Sequence, residues 1–367
     1  ALWQYKIKDV PYRAKPSDHA AILFTSGSEG APKAVVLSNR NIISNVWQIA
    51  TFETLNISDT VLNSMPIFHS FGLVLGTLYA LYQGAKVFLY PSPLHFRVIS
   101  DLLYEIEATV MIGTDTFFRS YAKVAHPLDF NTLRLVYAGA EGVKLDTRTI
   151  LNERLGTRLM EAYGTTECSP AVAGNNVVFN KFGTIGKLCP GMQYRLEKID
   201  GIDKGGELVV KGPNVMEGYI LPDHPGVLVP PQDGWYHTGD VVEVDEIGFM
   251  TIKDRIKRFA KIGGEMVSLR AIENMLCKMF EGQDEFCYGV VAVPHENKGE
   301  QIIIATNNKD LTIDRLREFI KTNGYPELYL PRVILYRESI PTSATGKVDN
   351  ITLKKEVLAE LNAAQAA

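Results

Sequence analysis

At 367 residues the chain exceeds the usual single-domain range, so two or three hydrophobic cores are expected. Its residues are 46% hydrophobic and 22% charged with a formal net charge of −4, which is globular and lacks the basic excess of a nucleic-acid binder, so no nucleic-acid partner is expected. Cys168, Cys189, Cys277 and Cys287 form no CxxC pair, no signal-peptide pattern is read, and no apolar run nears the ~20 residues of a spanning helix; a soluble body in the reducing cytoplasm is expected.

In chain order, Ala20–Thr25 reads as a buried strand entering a Gly/Ser turn. Asn39–Leu55 follows as a helix, with Ile42, Ile43, Val46, Ile49 and Ala50 on one face. Strands at Val61–Met65, Ala85–Tyr90, Thr109–Ile112 and Leu133–Tyr137 then alternate with helical stretches at Leu102–Ile106 and Leu145–Leu155, which predicts an α/β domain with a largely parallel sheet. After about Gly183 short strands (Glu207–Lys211, Val241–Val244, Phe249–Ile252) between Gly, Pro and Asp turns predict a β-rich subdomain. An α+β unit starts near Arg258, with helices at Leu269–Met279 and Ile313–Lys321 and strands at Tyr288–Val293 and Gln301–Thr306. The expected domains are therefore a large one at 1–253 with its β-rich part at about 183–253, a hinge at 254–257, and a small mobile one at 258–367.

The strongest local signal is Thr25-Ser26-Gly27-Ser28-Glu29-Gly30-Ala31-Pro32-Lys33. Small and hydroxylated residues after a strand let N–H and O–H groups close on phosphate oxygens, and Lys33 adds positive charge. It does not fit the Walker A spacing, and alone it would read as a turn. Five more stretches follow: Pro66-Ile67-Phe68-His69, Ala138-Gly139-Ala140-Glu141, Tyr163-Gly164-Thr165-Thr166-Glu167, Trp235-Tyr236-His237-Thr238-Gly239-Asp240, and Pro341 to Asp349 with Gly346-Lys347. Each alone has a structural reading: a lone histidine, a turn aspartate, a solvated lysine near a chain end.

Taken in order, the six resemble the motifs of the adenylate-forming (AMP-binding) superfamily, from the TSGSTGxPKG loop through PxFH, YGxTE and WxxTGD to the C-terminal lysine. Glu29 and Ala34 depart from that first pattern, which shifts weight there to backbone contacts. The resemblance implies the adenylate-forming fold: a large α/β domain with a small β-barrel-like subdomain, plus a smaller C-terminal α+β domain. It implies ATP and Mg2+ as cofactors, with Thr25, Ser26, Gly27, Ser28, Gly30 and Lys33 on the phosphates and Gly139, Ala140, Glu141, Tyr163 and Gly164 around the adenine. His69 would line the carboxylate site, Thr166 would meet the α-phosphate, and Glu167 would hold Mg2+. Asp240 and Arg255 would take the ribose, and Lys347 would bridge carboxylate and α-phosphate during adenylation.

The hinge wording, Lys257-Arg258-Phe259-Ala260-Lys261-Ile262-Gly263-Gly264-Glu265-Met266-Val267-Ser268, has serine where the family usually has proline. It resembles the bacterial acyl-[acyl-carrier-protein] synthetase branch found joined to a 2-acylglycerophosphoethanolamine acyltransferase. That branch implies a long-chain fatty acid passed to acyl carrier protein for lysophospholipid reacylation at the cytoplasmic face of the inner membrane; coenzyme A is the alternative acceptor. Lys257 would serve as hinge, Gly263 and Gly264 would admit a pantetheine arm, and Lys253, Arg255, Lys257, Arg258 and Lys261 are either a docking ground for an acidic carrier or a solvated face. Because the family has a sheet-and-helix segment before its phosphate loop, the chain reads as N-terminally truncated, with membrane association assigned to the missing part and low or no activity expected. Acyl-CoA synthetase and a silent nucleotide-binding fragment remain open. A lysine-AMP nucleotidyl transferase is disfavoured, since Lys347-Val348-Asp349-Asn350 lacks the glycine of KxDG.

Overall fold

The computed structural model describes residues 13–25, 32–202, 204–281, 283, 286–295, 299–342 and 348–366. The chain divides into two compact units, one of residues 1–193 and 210–236, the other of 194–209 and 237–367. Residues 194–209 and 237–253 therefore group with the C-terminal part, whereas the sequence boundary falls at 253/254.

The first unit is built on a seven-stranded sheet. Strands Lys86–Leu89, Thr60–Asn63, Val110–Gly113, Leu135–Ala138 and Leu159–Gly164 lie side by side and parallel, then Ala171–Gly174 and Lys187–Leu188 continue antiparallel. Parallel neighbours require crossovers, and helices Phe96–Glu105 and Asp115–Val124 supply two of them. They close a core of Leu62, Ile99, Leu103, Met111, Phe117, Phe118, Tyr121 and Val136. At the sheet's start Asp59 accepts from Thr109 Oγ1 at 2.7 Å and from Arg134 at 2.6 and 2.8 Å, tying together the entries of three parallel strands.

A smaller antiparallel sheet orders His19–Thr25, Lys33–Ser38, Gly218–Ile220 and Leu228–Val229. The first of these strands is not the buried one expected: Leu23 is buried but Ile22 and Phe24 are exposed, because the strand is an edge covered on one face only. Helix Asn39–Phe52 starts at a capping box between Ser38 and Asn41 and ends three residues short of the predicted Leu55. Ile42, Val46 and Ile49 are buried as expected, but Ile43 and Trp47 face outward. In their stead Asn41, Asn45 and Gln48 are buried.

Strands Gln193–Glu197, Gly206–Lys211, Tyr236–Val244 and Met250–Arg255, most of whose residues belong to the second unit, form a four-stranded sheet in that order. A five-stranded sheet follows, made of Glu265–Ser268, Phe259–Ile262, Gly299–Thr306, Tyr288–His295 and Val333–Tyr336. Its long antiparallel pair, Tyr288–His295 and Gly299–Thr306, alternates strictly. Val290, Ala292, Ile302 and Ile304 face helices Leu269–Met279 and Ile313–Asn323, while Val291, Val293, Ile303 and Ala305 pack with Leu353 and Val357 of helix Asn350–Ala366. Both faces are thus covered, as the continuous apolar runs demand.

Candidate active site

In the first unit the motifs converge through side chains. Thr25 pairs with Lys33 across the small sheet, and Lys33 Nζ lies 5.2 Å from the ring centroid of Tyr219. Tyr219 Oη donates to Glu167 Oε1 at 2.7 Å, and the buried Tyr236 lies near both. Burial, reinforced by the Glu167 charge, pushes both phenols up, so they remain protonated donors. Ser70 Oγ and Thr166 Oγ1 lie 3.2 Å apart, which joins the histidine motif to the Tyr163–Glu167 motif. Thr166 and Glu167 are both buried.

The wide π-helical turn Phe71–Tyr79 that follows His69 is pinned by Asn63, which donates to Gly72 O at 3.0 Å and to Thr77 Oγ1 at 3.1 Å. Its Phe71 ring packs on Gly139, where an added Cβ would stand 3.2 Å from the ring. His69 itself is exposed, its Nδ1 accepting from the Phe71 amide at 3.3 Å. Ala140 holds φ at 68°, in the left-handed region unusual for a residue with a Cβ. The Glu141 carboxylate accepts from Thr116 N at 2.8 Å and Thr116 Oγ1 at 3.1 Å at the start of helix Asp115–Val124, where the helix dipole favours it. Glu161 and Asp115 hold the rest of that loop through Val143 N and Lys144 N, and burial pushes both carboxyls up. Tyr163 is buried, and Gly164 is obligatory because a Cβ there would come within 2.3 Å of Pro170 O.

What keeps the Glu167 loop in place is the amide stripe of helix Asn39–Phe52. Asn45 exchanges two hydrogen bonds with the backbone of Ala171, at 2.8 and 3.0 Å. Asn41 donates to Pro213 O and Val215 O, and Gln48 donates to Pro190 O and Asn214 Oδ1. Asn214 in turn donates to Cys168 O at 2.8 Å, directly after Glu167. Spaced i, i+4, i+7, the three amides occupy one helix face. Cys168 and Cys189 are buried, and burial pushes their thiols far up, so both are inert structural groups. An apolar cavity lies against this helix, lined by Ile49, Val61, Leu75, Val110, Ile112, Leu135 and Ala173. Met111, Phe117 and Phe118 are instead fully packed core.

In the second unit Asp240 is buried and sits directly across from Arg255, whose Nε donates to its Oδ1 at 3.1 Å. Thr238 Oγ1 donates to Leu208 O at 2.7 Å and accepts from Asp240 N at 3.1 Å, fixing the turn that Gly239 makes at φ 72°. The hinge wording receives a structural account. Gly263 and Gly264, at φ 60° and 94°, form the two-residue turn between Phe259–Ile262 and Glu265–Ser268, a turn that needs positive φ at both positions. Ser268, where the family usually has proline, caps helix Leu269–Met279 and donates to buried Asp254 at 2.5 Å. Asp254 also accepts from Arg270 N at 3.0 Å.

The basic stretch is largely engaged. Lys253 pairs with Glu243 at 2.8 Å, Arg255 with Asp240, and Arg258 with Glu273 at 2.7 Å. Lys257 lies in the short turn Ile256–Arg258, and exposed Lys261 donates its backbone N–H to Glu300 at 2.8 Å. Ser26, Gly27, Ser28, Gly30 and Lys347 lie outside the described residues. Sequence reasoning missed Tyr219 and the roles of Tyr236 and Ser70. Tyr236 and Ser70 lie within or beside quoted motifs, whereas a tyrosine in a strand carries no mark beyond ordinary β propensity.

Residues 3–220 match the AMP-binding enzyme family, and the chain belongs to that family. It is 32% identical over 359 residues to the long-chain-fatty-acid–CoA ligase of Yersinia pestis, covering 93% of this chain and 62% of that protein. It is 30% identical over 362 residues to a probable 4-coumarate–CoA ligase of Dictyostelium discoideum, covering 95% and 65%. The chain therefore spans about 62–65% of the length of these curated relatives. ATP-bound MatB from Rhodopseudomonas palustris superposes with a TM-score of 0.81 at 25% identity, over 93% of this chain and 69% of that one. The o-succinylbenzoate CoA synthetase from Bacillus subtilis, in complex with ATP and magnesium ion, gives 0.79 at 23% identity, over 93% and 71%. The fold is that of the adenylate-forming enzymes. No helix among the described residues is long and apolar enough to cross a membrane.

Proposed function

We propose that the chain carries the adenylation machinery of an AMP-forming acid–thiol ligase acting on a long-chain fatty acid. The observation that carries this reading is the Lys33–Tyr219–Glu167 array, in which an ammonium and a carboxylate from separate motifs address one ring. The substrate carboxylate attacks the α-phosphorus of ATP, forming a C–O–P bond as the P–O bond to pyrophosphate breaks. Because two anions must meet, charge neutralisation and positioning are the main tasks. Lys33 supplies positive charge and Thr166 a hydroxyl donor. Glu167 fits a Mg2+ ligand, since Tyr219 takes only Oε1 and a single carboxylate beside phosphate oxygens suits this cation. When bound, Mg2+ would offset the triphosphate charge. Asp240, with Oδ1 on Arg255, is assigned the ribose hydroxyls, and Lys347 the carboxylate and α-phosphate.

A thiol then attacks the acyl carbonyl and AMP leaves. The wording of residues 257–268 favours acyl carrier protein as that thiol, with the resulting acyl groups feeding lysophospholipid reacylation. Coenzyme A is the second reading, favoured by relatives named as CoA ligases and by the ion pairs that engage Lys253, Arg255 and Arg258. The test is fatty-acid-dependent exchange of pyrophosphate into ATP, followed by thioester formation with the two acceptors side by side. Exchange that needs fatty acid and Mg2+, weak in this chain alone, is expected; exchange indifferent to fatty acid sinks the substrate reading, and thioester on coenzyme A alone sinks the carrier reading.

A further inference from the structure

Tyr219 belongs to none of the six motifs, yet it is the group through which two of them meet. Its backbone is held on both sides: Tyr219 pairs with Val35 in strand Lys33–Ser38 and with Val229 in strand Leu228–Val229, and Glu217 N donates to Val36 O at 3.0 Å. The ring therefore cannot drift far from Lys33, two residues before Val35 on the paired strand. Lys33 faces the ring and Glu167 takes the hydroxyl.

The chemistry makes this arrangement consequential. An ammonium and a carboxylate so close to one small group would ordinarily form an ion pair, each satisfying the other. Here, among the described residues, Lys33 forms no ion pair, and Glu167 accepts from a neutral phenol. A ring face attracts an ammonium without using its N–H donors, and a phenol occupies one carboxylate oxygen without neutralising its charge. Both charged groups thus remain available to outside partners.

We propose that Tyr219 is a positioning residue that keeps Lys33 and Glu167 apart and directs the former to triphosphate oxygens and the latter to the divalent cation. This rests on the adenylation reading above. Tyr219→Phe keeps the ring and its hold on Lys33 but removes the hydrogen bond, releasing Glu167 towards Lys33.

The experiment is equilibrium binding of ATP to the full chain across a Mg2+ titration, for the unsubstituted protein, Tyr219→Phe, Glu167→Gln and the double variant. Tyr219→Phe is expected to raise the Mg2+ concentration at half-saturation roughly tenfold, the size of a hydrogen bond to a charged group. On the Glu167→Gln background it should change nothing further, because the group it positions is already gone. Retained secondary structure and thermal midpoint in Tyr219→Phe separate this from misfolding, and a crystal structure of the variant should show Lys33 and Glu167 in direct contact. An unchanged Mg2+ dependence, or an equal effect on both backgrounds, overturns the proposal while leaving adenylation standing. Failure of the unsubstituted chain to bind ATP at any Mg2+ concentration overturns the adenylation reading and this inference together.

Discussion

Among single residues, several carboxylates are committed to the scaffold. Glu141 is fastened to Thr116, so a contact from this position to adenine would run through the backbone of residues 139–141. Asp59 is the clearest scaffold group. Burial raises its pKa, but hydrogen bonds from Arg134, Thr109 and Asn56 outweigh this and hold it at about 2, below the ordinary 3.8. A depressed folded pKa means the stabilisation is full above roughly pH 4 and is lost as pH falls through about 2. Asp59→Ala should therefore cost about 1–3 kcal/mol at pH 7, the range allowing for the partial exposure of Arg134. Urea unfolding of both proteins across pH should show the difference shrinking towards pH 2; a constant gap would mean that packing, not charge, is lost. Residues of this kind were illegible in the sequence. Asp59 precedes a strand and Arg258 sits in a basic run, and nothing local announces Arg134 or Glu273 as their partners.

For whole elements, periodicity carried further. Helix Leu269–Met279 forms with the predicted ends because its apolar face and Ser268 cap agree. Four of the five parallel strands fall within two residues of expectation at each end, since short apolar runs between turns leave little choice, whereas Leu159–Gly164 was not anticipated as a strand. Helix Asn350–Ala366 was not anticipated, although Leu353, Val357, Leu358 and Leu361 stand at helical spacing and pack on the sheet. Helix Asn39–Phe52 shows a subtler limit. The period was legible, but hydrophobicity alone could not show that the helix packs on loop backbone and so buries amides while Ile43 and Trp47 stay outside. Asn45→Leu should cost about 2–4 kcal/mol in chemical denaturation, since the Ala171 N–H loses its acceptor in a dry setting. A loss below about 0.5 kcal/mol would show the stripe to be dispensable.

The molecule as a whole has two units that carry different parts of the proposed chemistry, with Lys33, Thr166 and Glu167 in the first and Asp240, Arg255 and Lys347 in the second. The six motifs stood out because the phosphate, cation and ribose recognition proposed for them needs particular functional groups; the grouping of residues 194–209 and 237–253 with the second unit rests on tertiary contacts, which composition does not encode. If Lys347 serves adenylation alone, Lys347→Ala should slow acyl-adenylate formation roughly 10²-fold, by analogy with the loss of other charge donors. Thioester formation from preformed acyl-adenylate should continue at nearly the original rate. Rapid-quench measurement of the two half-reactions decides this, and equal slowing of both would rule out the division.

The amide stripe of helix Asn39–Phe52 has a further consequence, for heredity. Most of the groups it grips, at Ala171, Pro213, Val215 and Pro190, are main-chain atoms, which a side-chain substitution leaves in place, proline at 171 excepted. A damaged side-chain pair is often repaired by a change in the other partner; a damaged contact to backbone has no partner able to change. Loss-of-function alleles at Asn41 and Asn45 should thus revert at their own codons, and a screen for second-site suppressors should return generally stabilising substitutions elsewhere rather than local compensations.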